Sequence, residues 1–165
     1  MTYLNKDLSF GLVAAGLFLS VTQMGGIGGR ILWGYVADRW LGARRMLLVL
    51  AALMIGGALA TALLPADAPR WWMVVVLVVF GASAIGWNGV YLAEVARRAP
   101  EGMASLATGG TLAFTFLGVV LGPPVFGVLS TVFGTYRAGF LALMGVATCS
   151  GVVLWWSQRR AVQAA

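Results

Sequence analysis

Few residues in this chain could do chemistry, and they gather at a handful of places. The stretch Gly29 to Arg45, GRILWGYVADRWLGARR, packs four arginines and one aspartate between two long apolar segments. There is no histidine, and Cys149 is the only cysteine. That excludes an internal disulfide, a Cys/His zinc site and Cys/His or Ser/His nucleophilic catalysis. Cys149 lies in the last apolar segment and reads as a small packing residue. No catalytic constellation remains, so neither an enzyme activity nor a cofactor or metal is expected. What is left is charge pairing in the joints and polar contact inside the apolar segments.

Inside those segments stand Gln23 on the first, Asn88 and Tyr91 on the third, and Thr111 and Thr115 on the fourth. Thr111 and Thr115 are four residues apart and share a helix face. Trp87 and Phe114 could supply an aromatic wall. Polar side chains are costly in a bilayer and often functional there, which makes these residues candidates for lining a solute path. The bland alternative for each is an interhelical hydrogen bond or plain packing. Arg30 lies just inside a segment end. It could snorkel to the interface or attract an anionic solute, and snorkelling is the reading preferred from sequence.

The elements that must hold these residues follow from where charge is missing. Hydrophobic residues make up 61% of the chain and charged ones only 10%, against roughly 25% charged in a soluble domain. No Asp, Glu, Lys or Arg occurs between Asp7 and Arg30, Arg45 and Asp67, Arg70 and Glu94, Glu101 and Arg137, or Arg137 and Arg159. Each gap reaches the length of about 20 residues that a helix needs to cross the hydrocarbon core. The expected fold is an all-α membrane protein with five transmembrane helices in one domain, at roughly 8–37, 46–64, 71–95, 103–133 and 137–156. Asp7 or Ser9 is a possible N-cap of the first. Gly25 and Gly29 make a GxxxG step suited to close helix packing. Pro123 and Pro124 lack backbone N–H groups and should kink the fourth helix.

The net charge of +6 reads as membrane topology rather than nucleic-acid binding. With five spans, Arg30, Arg39, Arg44, Arg45, Arg97, Arg98, Arg159 and Arg160 share one side, against Lys6, Arg70 and Arg137 on the other. The arginine-rich side is therefore expected in the cytoplasm, with the N-terminus outside and the C-terminus inside. The expected location is a bacterial cytoplasmic (inner) membrane.

Gly34, Asp38, Arg39, Gly42, Arg44 and Arg45 resemble the signature loop of the major facilitator superfamily of transporters. One extra residue stands between Arg39 and Gly42, and Ala43 separates that glycine from the basic pair. A second stretch, GGTLAFTFLGVVLGPPVFG, is similar to the family's glycine–proline helix motif. Gly109, Gly118, Gly122, Pro123 and Gly127 match its spacing, and Phe126 departs from it where a glycine is usual.

The resemblance implies a partial six-helix half-bundle, equivalent to family helices 8–12 or 2–6, with 8–12 preferred. The N-terminal half of the transporter would then be missing, and Met1 would begin a fragmentary product. It also implies a secondary transporter that moves a small solute by alternating access. In the family, the acid equivalent to Asp38 faces the positive N-terminus of a helix from the opposite half. Arg39 would pair with an acid at the inner end of a neighbouring helix. Glu94 is the best-placed acid and Glu101 the runner-up. Asp38, Arg39 and Glu94 are thus expected to form a gating charge cluster, with Arg44 and Arg45 mainly lipid anchors. No carboxylate lies in mid-span, so a proton-coupling group would sit in the missing half, or be Glu94. The implied partners are the lipid bilayer, the solute and the missing half, with no nucleic acid. The alternatives are a half-size unit that dimerises and a membrane scaffold or remnant without transport.

Overall fold

The computed structural model describes residues 11–65 and 68–163. The expected N-cap at Asp7 or Ser9 lies outside the described residues, as do Lys6 and the side chains of Arg70 and Arg160. The described chain is all helix and turn. Helix α1 covers Leu12–Val36 and runs into a single π-helical turn, Ala37–Leu41. Helices α2 (Ala43–Ala62), α3 (Arg70–Arg98), α4 (Ala104–Val132) and α5 (Arg137–Gln163) follow. All five are long and apolar enough to cross a membrane.

α1 packs along α3, and the contacts advance in step: Thr22 meets Gly81, Gly29 meets Ala82, Trp33 meets Gly86 and Arg30 meets Gly89. The two helices therefore run parallel. Their backbones approach closely because the seam carries glycine from both sides. A Cβ added at Gly29 would lie 2.7 Å from the Ala82 carbonyl oxygen. Lipid tails offer helices no hydrophobic drive to associate, so close van der Waals packing at small residues has to hold this pair.

α2 packs against both α3 and α5. Two clusters of buried residues stand out, one toward each end of the bundle. Ala15, Leu64, Met73 and Val76 form the first, joined by Tyr136 and Phe140. Ala37, Ala43, Met46, Leu47, Leu50 and Val90 form the second, joined by Trp33, Trp87, Tyr91 and Leu154. At the first end, Arg137 Nη2 donates to the Leu64 carbonyl at 3.2 Å. That carbonyl lies just past the end of α2, where the last backbone acceptors have no helical donor. The bond ties the start of α5 to the end of α2.

α4 is the outlier. Ser130 is its one buried residue among those described, while Phe114 is 79% exposed. It is held at its far end by Phe126, which stacks on Tyr136 with ring centroids 6.3 Å apart and meets Phe140 edge-on at 5.6 Å. The side chain that departs from the family's glycine pattern is thus the one that anchors the helix. Helical structure continues through Pro123 and Pro124. Their missing N–H groups leave the Val119 and Val120 carbonyls without the usual donors, and in a bilayer such groups need protein or water partners.

Candidate functional site

The charged end of the bundle is built around the π-helical turn. A π turn holds more residues than an α turn and occurs mostly as a single insertion. Here the Gly42 N–H reaches the Ala37 carbonyl at 2.8 Å, so the extra residue between Arg39 and Gly42 is absorbed without breaking the chain's course. Gly42 has φ 73° and ψ 152°, a combination that belongs essentially to glycine. It turns the chain directly into α2, which begins at Ala43 and so carries Arg44 and Arg45 in its first turn.

Cations at a helix N-terminus oppose the helix dipole, and acids from neighbouring elements offset this. Glu94 on α3 lies 3.8 Å from Arg44 and 3.9 Å from Arg97, and it also accepts from Arg98 one turn on. Asp38 lies 3.6 Å from Arg97. The series Asp38–Arg97–Glu94–Arg44 therefore links the end of α1, the end of α3 and the start of α2. The Glu94 side chain is 19% exposed and Asp38 is 70% exposed, so Glu94 is the half-buried centre and Asp38 the open end.

Two arginines play parts the sequence did not assign them. Arg44, read as an anchor, occupies the place beside Glu94, and Arg39 is exposed with no ion pair among the described residues. The signal for Arg97 was present, since it follows Glu94 by three residues, the spacing of helix neighbours. The signal for Arg44 was not, because the π turn decides which basic residue faces α3. Gly34 has nothing among the described residues within 4 Å of where a Cβ would sit. Glu101 is exposed and has no ion pair among the described residues.

Deeper in the bundle, Arg30 stands eight residues before Asp38, about 12 Å along the axis. Its stem lies against α3 at Gly89, where an added Cβ would come 3.2 Å from its Cγ. One turn on, the Trp33 indole N–H donates to the Ala82 carbonyl at 2.9 Å. Gln23 is exposed two turns before Arg30 on the same face of α1. On α3, the Asn88 side-chain oxygen is buried and has no hydrogen-bond partner among the described residues.

The remaining candidates do not join this group. Trp87 and Tyr91, with ring centroids 5.5 Å apart, pack on the cluster at the charged end. The hydroxyls of Thr111 and Thr115 donate to carbonyls of their own helix, those of Thr108 and Thr111, at 2.9 and 3.0 Å. Gly118 and Gly122 face open space, and Pro123 lies within α4.

Five membrane-length helices, a glycine-lined seam and an ion-pair cluster at one end define an integral membrane protein. The profile of the Major Facilitator Superfamily matches residues 1–164, and the chain belongs to that family. It is 30% identical to human "Monocarboxylate transporter 11" over 94% of this chain and 34% of that protein. It is 28% identical to the "Benzoate transport protein" of Acinetobacter baylyi over 83% of this chain and 28% of that protein. The chain thus spans about a third of the length of these relatives. No solved structure is significantly similar to it. The family is one of membrane transporters, and both relatives are named as transport proteins.

Proposed function

We propose that this chain is part of a secondary transporter that moves a small organic carboxylate across the membrane by alternating access. One observation carries this reading. Arg30 is an exposed cation about 12 Å inside the charged end. A guanidinium at that depth is too costly to face lipid and belongs against a partner or a watery cavity. A carboxylate fits its planar fork with two parallel hydrogen bonds. The two relatives carry monocarboxylate and benzoate in their names, and benzoate is itself a monocarboxylate. Gln23 and Asn88 would complete the polar lining.

The rest of the transporter is the required partner. The five helices take the part of family helices 8–12, and the exposed faces of α1 and α4 are surfaces for the remaining helices to cover. The charged end lies in the cytoplasm, by the excess of arginine there, and in a bacterium the membrane is the cytoplasmic one. The Asp38–Arg97–Glu94–Arg44 cluster holds that end shut and opens when solute is released inside.

The test is uptake into proteoliposomes holding the protein at its natural full length. Benzoate and short aliphatic monocarboxylates are offered beside neutral analogues, with and without a pH gradient. Carboxylates are expected to enter and the neutral analogues to be refused. Losing a charged hydrogen-bond partner costs on the order of tenfold or more, so Arg30→Gln should lose at least that and Arg30→Lys less. Equal uptake by Arg30→Gln, or preference for the neutral analogues, would overturn the reading.

A further inference from the structure

A second site lies away from the solute path, on the outer flank of α2 and α5. A groove of about 230 Å³ runs between the two helices, lined by Leu48, Ala52 and Ile55 on one side and Gly151, Val152 and Trp155 on the other. The small residues Ala52 and Gly151 create the space. Thr148 also lines it, but its hydroxyl is satisfied by the Met144 carbonyl at 2.8 Å, so the groove offers almost no polar contact. Leu48 to Ile55 and Gly151 to Trp155 follow the helix axes for about 10 Å and 6 Å. That is a good part of the ~15 Å that one leaflet contributes to the hydrocarbon core.

The mouth of the groove is different in character. Arg159 follows Trp155 by one turn on the same face, and its guanidinium carbon stacks 3.8 Å from the Trp155 ring centroid. Arg45 precedes Leu48 by three residues and Ala52 by seven, which puts it on the groove face of α2, and it is exposed. Arg45 takes no part in the Glu94 cluster among the described residues. Each wall of an apolar groove therefore ends in a cation at the level where helices leave the bilayer.

We propose that this groove binds an anionic phospholipid of the leaflet at the charged end, one acyl chain lying between α2 and α5 and the phosphate held by Arg45 and Arg159. Charge complementarity selects the occupant. An uncharged apolar ligand would leave both arginines unused, and a free phosphate would leave the groove unused. Basic pockets between membrane helices are a general mode of anionic headgroup recognition, and Trp155 suits the interfacial level with its apolar body below and its stacked cation above. The site depends on this end meeting lipid headgroups and not on which solute is carried.

Native mass spectrometry of the full-length protein in detergent tests it, with phosphatidylglycerol and phosphatidylcholine supplied at equal concentration. Phosphatidylglycerol adducts should dominate. Each arginine near an anionic headgroup contributes about fivefold, so Arg45→Gln with Arg159→Gln should reduce those adducts by an order of magnitude or more. Ala52→Trp fills the groove while keeping both charges and should lower them as well. Arg39→Gln, an exposed cation at the same end, should leave them unchanged. Adducts equally lost in Arg39→Gln, or retained in both the double variant and Ala52→Trp, overturn the proposal.

Discussion

Glu94 near the end of α3 lies 3.8 Å from Arg44 in the first turn of α2, and this pair joins the two helices at the charged end of the bundle. Glu94 also gathers Arg97 and Arg98 from its own helix. One largely buried carboxylate thus faces three guanidiniums. Removing it would leave the three cations crowded without their acid, which costs more than losing any single exposed pair.

A double-mutant cycle should separate the arginines around that acid. Glu94→Gln and Arg44→Gln should each slow transport, and the double variant should be less impaired than the sum, with a coupling of about 1 kcal/mol. Arg39→Gln combined with Glu94→Gln should be additive. Uptake rates in proteoliposomes measure both cycles. Strong coupling of Glu94 to Arg39 instead would show that the two pair in the working transporter.

Asp38 makes a different case. Its one ion pair among the described residues is with Arg97, at 3.6 Å, on a largely exposed side chain. Losing such a pair should change stability by well under 1 kcal/mol. Asp38→Asn is nonetheless expected to reduce uptake sharply while insertion and thermal stability stay near normal, because the acid's proposed work is to hold the closed state. Unchanged uptake would sink the gating role and leave Asp38 as a surface residue.

The five helices were legible because the bilayer imposes a blunt rule: long stretches without charge are spans, and here every such stretch holds a membrane-length helix among the described residues. The family was legible from the spacing of Gly34, Asp38 and Arg39. Pairing was harder to read. Whether Arg39 or Arg44 meets Glu94 depends on the extra backbone residue in the π turn, a rotation that no side-chain pattern encodes. The same holds for Phe126, which reads as a flaw in a glycine motif until Gly139 of α5 is found beneath it. Trp87 reads by residue type as part of an aromatic wall and Tyr91 as a polar lining residue, yet the face they share with Val90 packs against α2.

Neighbouring glycines on one helix should answer substitution differently. Gly29 has the Ala82 backbone where a Cβ would go, and Gly57 has Phe80, while Gly28 and Gly56 have nothing within 4 Å among the described residues. Gly29→Ala and Gly57→Ala should therefore force their seams apart and destabilise by about 1–3 kcal/mol. Gly28→Ala and Gly56→Ala should be neutral or slightly stabilising, since alanine is the better helix former. Thermal unfolding in detergent reads the contrast, and equal losses at all four positions would mean that the seams are not where the backbone contacts place them.

Asn88 offers the sharpest division between stability and function. Its buried side-chain oxygen has no partner among the described residues, and an unsatisfied buried polar atom costs about 1–3 kcal/mol. A site that carries such a cost without structural return is where a solute or its water would find a ready partner. Asn88→Leu removes the unsatisfied group at similar size, so it should raise the unfolding temperature. The same change should weaken uptake of the proposed carboxylate substrate by the full-length protein, and Asn88→Gln should retain more of it. A variant that is stabilised and still transports at the normal rate would assign Asn88 to helix packing alone, because the polar group would then serve nothing that moves through the protein.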